Sequence, residues 1–168
     1  MKRIVADTGP LLHLHEAGAL HLLASIGPVH VPSLVLAELR HHAPILWPGI
    51  LPEWVTHIEL ESSARKSALA WQQAGLLHGG EAEALALAGD MQLDWFLTDD
   101  AAARLMAETI GIETHGSLGV VLWAVATSLI GRAEAETYLT GLENSSLWMS
   151  PRVRAEARLA LERLARGS

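Results

Sequence analysis

Cysteine is absent from the 168-residue chain, which excludes disulfide frameworks, cysteine-based zinc sites and thiol nucleophiles. Its absence also suits a reducing cytoplasm, which is the location that we expect for the protein. Aromatic residues are scarce, at 5%, while apolar residues make up 50% and charged residues only 18%. This composition excludes a disordered chain, and the length predicts one domain with a single sizeable core.

Long apolar runs are missing as well. The most apolar stretch, residues 118–130, is too short to cross a bilayer and predicts a buried helix, so we expect no contact with a membrane. Only three apolar residues separate the basic start of the chain from Asp7, which predicts that no signal peptide is present.

Positive charge is in deficit, because the formal net charge is −7. This balance argues against binding nucleic acid by general electrostatic attraction alone. The last 17 residues nevertheless carry five arginines, of which Arg152 and Arg154 come first. These arginines form either the solvated face of a helix, with Glu156 and Glu162 between them, or a patch that binds nucleic acid. Arg152 and Arg154 are therefore candidates for nucleic-acid contacts.

Short apolar segments that alternate with helical patterns are typical of an α/β protein. We predict strands at residues 3–6, 29–31, 95–98 and 112–115, and either a strand or an extended edge at 54–60. The intervening helical patterns predict a central parallel sheet of about four to five strands, flanked by helices. We expect residues 1–168 to form one domain, with a core of about 3–130 and a helical extension of about 131–168. Residues 43–52 contain three prolines and predict an irregular segment.

Acidic residues occur where predicted strands end or helices begin. Asp7 follows the first strand, the pair Asp99-Asp100 follows the third clear strand, and Glu38 and Glu81 lie on helices. The carboxyl ends of parallel strands meet at one edge of a sheet, where ligands bind. Two carboxylates about 5 Å apart repel by roughly 3 kcal/mol at an effective dielectric constant of 20. If the fold brings these acids together, they predict a Mg²⁺ or Mn²⁺ site and metal-assisted hydrolysis of a phosphodiester.

Asp7 and Glu38 each have a structural alternative. Asp7 can act as the N-cap of the helix that begins near Pro10, although Thr8 could do so equally well. Glu38 shares a helix face with apolar residues, and the alternative is a boundary residue paired with a basic residue at 40–42.

The other two acidic signals also leave choices open. Glu81 and Glu83 begin a helix, where the helix dipole alone favours carboxylates. We prefer Glu81, because its helix face is lined by small and apolar residues. The side chains of Asp99 and Asp100 diverge if the backbone is extended, so one can face the cleft while the other caps the next helix. Asp100 is the first choice.

Other kinds of site fit the sequence less well. The triplet Asp7-Thr8-Gly9 occurs in aspartic proteases, but that class requires an all-β fold, and this chain is mostly helical. The nine histidines are interpreted as scattered surface or capping residues, and His13 and His15 fall on different faces of their helix.

Five short motifs follow one another along the chain. They are Asp7-Thr8-Gly9-Pro10-Leu11, Val31-Pro32-Ser33 with Glu38, Gly80-Glu81-Ala82-Glu83-Ala84, Thr98-Asp99-Asp100 with Ala103-Arg104, and Gly116-Ser117-Leu118-Gly119-Val120-Val121-Leu122. In this order they resemble the motifs of the PIN domain, the metal-dependent nuclease fold that includes VapC-type toxins and relatives of flap endonucleases. The similarity is greatest to a prokaryotic subgroup without assigned function, and it covers residues 4 to about 130.

The resemblance implies an acidic metal pocket that hydrolyses RNA with Mg²⁺ or Mn²⁺. It implies that Asp7, Glu38, Glu81 and Asp100 are catalytic metal ligands, with Asp99 as a candidate fifth ligand. Residues expected at the pocket edge are Thr8, Glu83, Thr98 and Ser117, and Arg104 is a further candidate for nucleic-acid contacts. Many toxins of this fold carry a single aspartate where this chain has Glu81-Ala82-Glu83.

Partners also follow from the resemblance alone. Such proteins often act as the toxin of a toxin–antitoxin system, pair with a small antitoxin protein and form homodimers. The alternative function is a catalytically silent PIN-like module that binds RNA or a protein without cutting it.

Overall fold

The computed structural model describes residues 1–45, 47 and 51–166. These residues form five strands and nine helices. The strands are β1 (Ile4–Ala6), β2 (Val29–Val31), β3 (Val55–His57), β4 (Trp95–Leu97) and β5 (Thr114–His115). The helices are α1 (Thr8–Glu16), α2 (His21–Ile26), α3 (Ser33–His42), α4 (Ser62–Gln73), α5 (Gly79–Asp90), α6 (Ala101–Thr109), α7 (Ser117–Ala126), α8 (Arg132–Glu143) and α9 (Pro151–Arg166).

All five strands join one parallel sheet in the order β3-β2-β1-β4-β5. The predicted fold class is therefore confirmed, including the fifth strand, which β3 forms at the edge of the sheet. The strands read as continuous apolar runs because both β1 and β4 are buried along their whole length. The irregular segment that we expected at 43–52 lies partly outside the described residues.

The core fills the space between the sheet and its helices. Ile4, Phe96 and Leu85 are completely buried, and α5 buries a run of alanine and leucine side chains from 84 to 88. Helix α5 packs against α3, α4 and β1. Small side chains let this helix approach its neighbours closely, which brings its first turn near the carboxyl end of β1.

The C-terminal helices α7, α8 and α9 pack on one another. Helix α7 is shorter than predicted: it ends at Ala126, and Ser128 then adopts a positive φ of 58°. Residues 118–130 therefore form a helix and a turn rather than one helix. Within the described residues, no helix combines the length and the apolar character that crossing a membrane requires.

The sheet order places β1 between β2 and β4, so the chain runs outward from β1 in both directions. In open parallel sheets the crevice at such a switch point is where ligands bind, beyond the carboxyl ends of the strands. Asp7 directly follows β1, and Asp99 and Asp100 come two and three residues after Leu97, the last residue of β4. The topology thus brings acids that are far apart in the sequence to one place.

Candidate functional site

A cavity of about 360 Å³ opens at the carboxyl ends of β1 and β4. Five carboxylates from four separate parts of the chain line it: Asp7, Glu38, Glu81, Asp99 and Asp100. All the acids that the sequence analysis proposed as metal ligands therefore lie around a single cavity.

Asp7 is the most buried of these acids, with only 2% of its surface exposed. One carboxylate oxygen accepts a hydrogen bond from the Gly9 amide at 3.1 Å and caps α1, and the other accepts one from the Thr98 hydroxyl. Burial raises the pKa of Asp7 well above its usual value, and repulsion from Asp99 and Glu81 raises the pKa further, against the lowering effect of the Thr98 hydrogen bond. The Asp7 side chain therefore both caps α1 and lines the cavity.

Glu38 reaches the cavity from the second turn of α3. Its carboxylate accepts hydrogen bonds from the Thr8 hydroxyl and from the Gly80 amide, the latter at 3.0 Å. Gly80 lets the Glu38 carboxylate take this position, because a Cβ on residue 80 would displace it. Within the described residues, no basic side chain lies within 4 Å of the Glu38 carboxylate. The alternative pairing with residues 40–42 is therefore not what the structure shows.

Glu81 faces the cavity from the first turn of α5, where its side chain accepts a hydrogen bond from the His78 amide at 3.0 Å. Burial raises the pKa of Glu81, and repulsion from Asp100 and Glu38 adds to this, whereas the hydrogen bond from His78 lowers it. Glu83 points elsewhere, since side chains two positions apart on a helix do not share a face. Its carboxylate accepts a hydrogen bond from the Leu34 amide at 2.9 Å, at the start of α3.

Asp99 and Asp100 diverge, as expected for adjacent residues. Asp100 caps α6 by accepting a hydrogen bond from the Ala103 amide at 2.8 Å. Asp99 turns the other way and accepts hydrogen bonds from the amide and the hydroxyl of Ser117, at 2.7 and 2.6 Å. Both nevertheless line the acidic cavity.

A sequence profile of the PIN-domain family DUF3368 matches residues 3–163. This range covers nearly the whole chain. The chain belongs to the PIN-domain family. A search among curated proteins found no significant match. The matched range extends well beyond residue 130, where the resemblance noted in the sequence ends, and includes most of α9. PIN domains are generally nucleases and generally use divalent metal ions.

The hydroxyl groups around the acids of this PIN domain serve mainly to hold carboxylates. Thr98 and Ser117 are fully buried, with their hydroxyls on Asp7 and Asp99. Their burial differs from the expected position at the pocket edge, because a buried hydroxyl that already donates to a carboxylate does not reach a phosphate. Thr8 does line the cavity. Glu83 is not part of its lining, for the reason of helix geometry given above.

Sequence reasoning missed His13, His78, Leu147 and Trp148, all of which line the acidic cavity. His13 is no scattered surface residue: its Nδ1 lies 2.8 Å from the Asp99 carboxylate, and both side chains are mostly buried. The signal was present, because His13 lies four residues after Gly9 on α1 and so shares its helix face. Nothing comparable in the sequence indicated that Leu147 and Trp148 return to the site from the loop after α8.

The donor set of this PIN domain suits a hard divalent cation, because it consists of carboxylate oxygens, one of them almost wholly buried. In the described residues, however, no three His, Asp or Glu side chains are already arranged to hold one ion. The reason is visible in the hydrogen bonds: each carboxylate turns to a donor of the protein itself. The carboxylates thus line one cavity, but each is held separately by its own hydrogen bonds and not arranged around a common point.

The candidate arginines differ in their surroundings. Arg104 lies near the site, and its guanidinium donates a hydrogen bond to the Thr98 carbonyl at 3.1 Å. Arg152 is exposed and pairs with Glu156 four residues later at 2.7 Å, as on an ordinary solvated helix face. Arg154 is exposed, and no carboxylate of the described residues lies within 4 Å of it.

Proposed function

We propose that this PIN domain is a metal-dependent endoribonuclease that hydrolyses phosphodiester bonds of RNA. The observation that carries the proposal is the convergence of five carboxylates on one cavity. The most buried of them, Asp7, forms no ion pair with a basic side chain of the described residues. A buried carboxylate surrounded by further carboxylates is unfavourable for the fold alone. Such an arrangement fits a protein that uses these charges to bind a cation.

Asp7, Glu38, Glu81 and Asp100 would hold Mg²⁺ or Mn²⁺, with Asp99 as a candidate fifth ligand. When bound, a divalent ion supplies a Lewis acid for the phosphate and lowers the pKa of a water molecule. The residues of the chain orient the ligands. The Thr98 hydroxyl and the Gly9 amide fix the carboxylate plane of Asp7, while Thr8 and the Gly80 amide fix that of Glu38. Supporting hydrogen bonds of this kind set both orientation and affinity at metal sites.

The test is cleavage of a labelled RNA pool with Mn²⁺ by the wild type, Asp7→Asn and Asp100→Asn. Glu83→Gln is the matched control, because it removes a carboxylate of the same motif that lies outside the cavity and accepts only the Leu34 amide. We expect cleavage by the wild type and Glu83→Gln, and loss of at least about a hundredfold in both aspartate variants, as for removal of a charge that stabilises the transition state.

Three results would argue against the proposal. Equal cleavage by all four proteins would indicate a contaminating nuclease. Loss in Glu83→Gln as large as in Asp7→Asn would show that the cavity does not define the active site. Specific RNA binding without cleavage in any metal would favour the alternative function, a silent PIN-like module that binds RNA or protein.

We further propose that the protein is the toxin of a toxin–antitoxin system, that it pairs with a small antitoxin protein, and that it forms a homodimer. The resemblance to VapC-type toxins supports this part. Its test is induced expression in a bacterial host: we expect growth arrest by the wild type and none by Asp7→Asn at equal protein level. Normal growth with an active nuclease would reject the toxin role and leave the nuclease role intact.

A further inference from the structure

A second cavity, of about 540 Å³, opens directly beside the acidic one. Asp99, Leu147 and Trp148 line both cavities, so the two form a continuous depression. Arg104 of α6 and Val153 of α9 also line the second cavity. It lies within the size range of pockets that bind small organic groups, about 300–1,000 Å³.

Trp148 stands at the boundary between the two cavities and is 82% exposed. Its backbone is nevertheless held firmly on both sides. Two residues before Trp148, the Ser146 amide and hydroxyl donate hydrogen bonds to the Glu16 carboxylate at 2.7–2.9 Å. Directly after Trp148, Met149 is buried in the core. The loop therefore presents a large flat ring to solvent from a fixed position. Ordering the loop again on binding would cost little, which favours a role in contacts with a ligand.

The charge of the second cavity differs from that of the first. Arg104 lines it, and among the described residues no carboxylate lies within 4 Å of the guanidinium. Val153 at the start of α9 adds an apolar side chain to the lining of the same cavity. The carboxylates of the acidic cavity thus adjoin the aromatic ring of Trp148 and the guanidinium of Arg104. This is the combination that binds a phosphate and a base of a single strand.

We propose that the second cavity binds an unpaired nucleotide next to the scissile phosphate of a single-stranded nucleic acid, with its base stacked on Trp148 and its phosphate near Arg104. This inference rests on the proposed nuclease function, because it takes the acidic cavity as the place of the scissile phosphate. A base within a duplex has both faces covered by its neighbours, so stacking on Trp148 selects strands that are unpaired at this position.

The experiment measures binding without cleavage, in EDTA, by fluorescence anisotropy of short labelled oligonucleotides. Each oligonucleotide is made in an RNA and a DNA form, and in a form with abasic sugars that keeps every phosphate. We expect Trp148→Ala to weaken binding of the base-containing strands roughly 5- to 150-fold, the range for loss of one stacked base. Trp148→Phe should recover most of the affinity, because it restores an aromatic face. Neither variant should change the affinity for the abasic strand.

Leu69→Ala is the matched control, since Leu69 is 52% exposed on α4 and lines neither cavity. Binding of either the RNA or the DNA oligonucleotide supports the proposal. The form that binds more tightly shows whether the site prefers ribose or deoxyribose. Unchanged affinity in Trp148→Ala would overturn it. Equal weakening toward the abasic strand would overturn it too, because the effect would then come from the loop and not from stacking.

Cleavage separates this inference from the function on which it rests. A wild type that cuts RNA with Mn²⁺, together with a Trp148→Ala variant of unchanged KM and unchanged binding, would reject the stacking site and leave the nuclease in place. A wild type that neither binds nor cuts any of the strands would reject both.

Discussion

Replacing Asp7 with asparagine is expected to make the metal-free protein more stable at neutral pH. Asp7 is 2% exposed, and burial together with the charges of Asp99 and Glu81 raises its pKa. A group whose pKa is raised on folding lowers the free energy of unfolding as the pH rises from its ordinary value, 3.8, through the value in the folded state. Within that window the loss is at most about 1.4 kcal/mol per pH unit. Asparagine does not titrate and so escapes this loss.

Asparagine also keeps most of the local hydrogen bonds. Its side-chain oxygen can accept from the Gly9 amide, as Asp7 does. Its NH₂ group would face the Thr98 hydroxyl oxygen, which already accepts from the Asp100 amide and has a second lone pair. The variant loses one charge-assisted hydrogen bond, which is about 1.5–3 kcal/mol, against a desolvation cost of several kcal/mol for an ionised carboxylate. We therefore expect a net gain of about 1–2 kcal/mol, or a Tm higher by about 2–8 °C.

The assay is urea unfolding in EDTA at pH 5.0 and pH 7.5, with Asp90→Asn as the control for the same chemical change at an exposed position. The stability difference between Asp7→Asn and the wild type should be larger at pH 7.5 than at pH 5.0. A variant less stable than the wild type at pH 7.5, or a difference that does not change with pH, would refute the argument from desolvation. It would mean that the hydrogen bonds from Thr98 and Gly9 fully compensate the buried charge.

Three further predictions concern the same site. Mn²⁺ should raise the Tm of the wild type and leave that of Asp7→Asn unchanged; an equal rise in both proteins would place the ion elsewhere. Gly80→Ala should reduce cleavage with little change in stability, because its Cβ would displace the carboxylate at the end of the flexible Glu38 side chain, and full activity of the folded variant would contradict this. Gly116→Ala should reduce activity, because its Cβ would lie 2.6 Å from an Asp99 oxygen and 2.9 Å from the Arg104 guanidinium. Gly119→Ala is the control, with its Cβ at an ordinary 3.5 Å from His115, and an equal loss in both variants would reject the argument.

The fold was predictable from the sequence because its signals are local. Apolar runs too short for helices, each ended by a turn or a capping residue, indicate buried parallel strands without reference to any partner strand. The same holds for the convergence of Asp7 with Asp99 and Asp100, since the ends of parallel strands share one edge of the sheet. The choice of Glu81 over Glu83 for the cavity needed only the knowledge of which residues share a face of one helix.

The missed residues depend on contacts that the sequence pattern does not encode. Trp148 reaches the site because α8 packs against α1 and α7, because α9 packs against α7, and because the Glu16 carboxylate accepts a hydrogen bond from the Ser146 amide in the loop between α8 and α9. That contact joins residues 130 positions apart and follows no periodicity. The burial of Thr98 and Ser117 is of the same kind, because it depends on which neighbour closes over each hydroxyl.

Structural and functional interpretations of an acidic residue are often treated as exclusive, and this site shows why they need not be. Asp7 caps α1 through one oxygen and lines the cavity with the same carboxylate, and Asp100 does the same for α6. A helix N-terminus supplies amide donors that hold a carboxylate in place, and so fixes the direction of any oxygen left for a ligand. Because asparagine preserves the capping oxygen, Asp→Asn leaves the helix cap in place and tests the proposed metal role more directly than Asp→Ala, which would remove the cap as well and confound lost activity with lost stability.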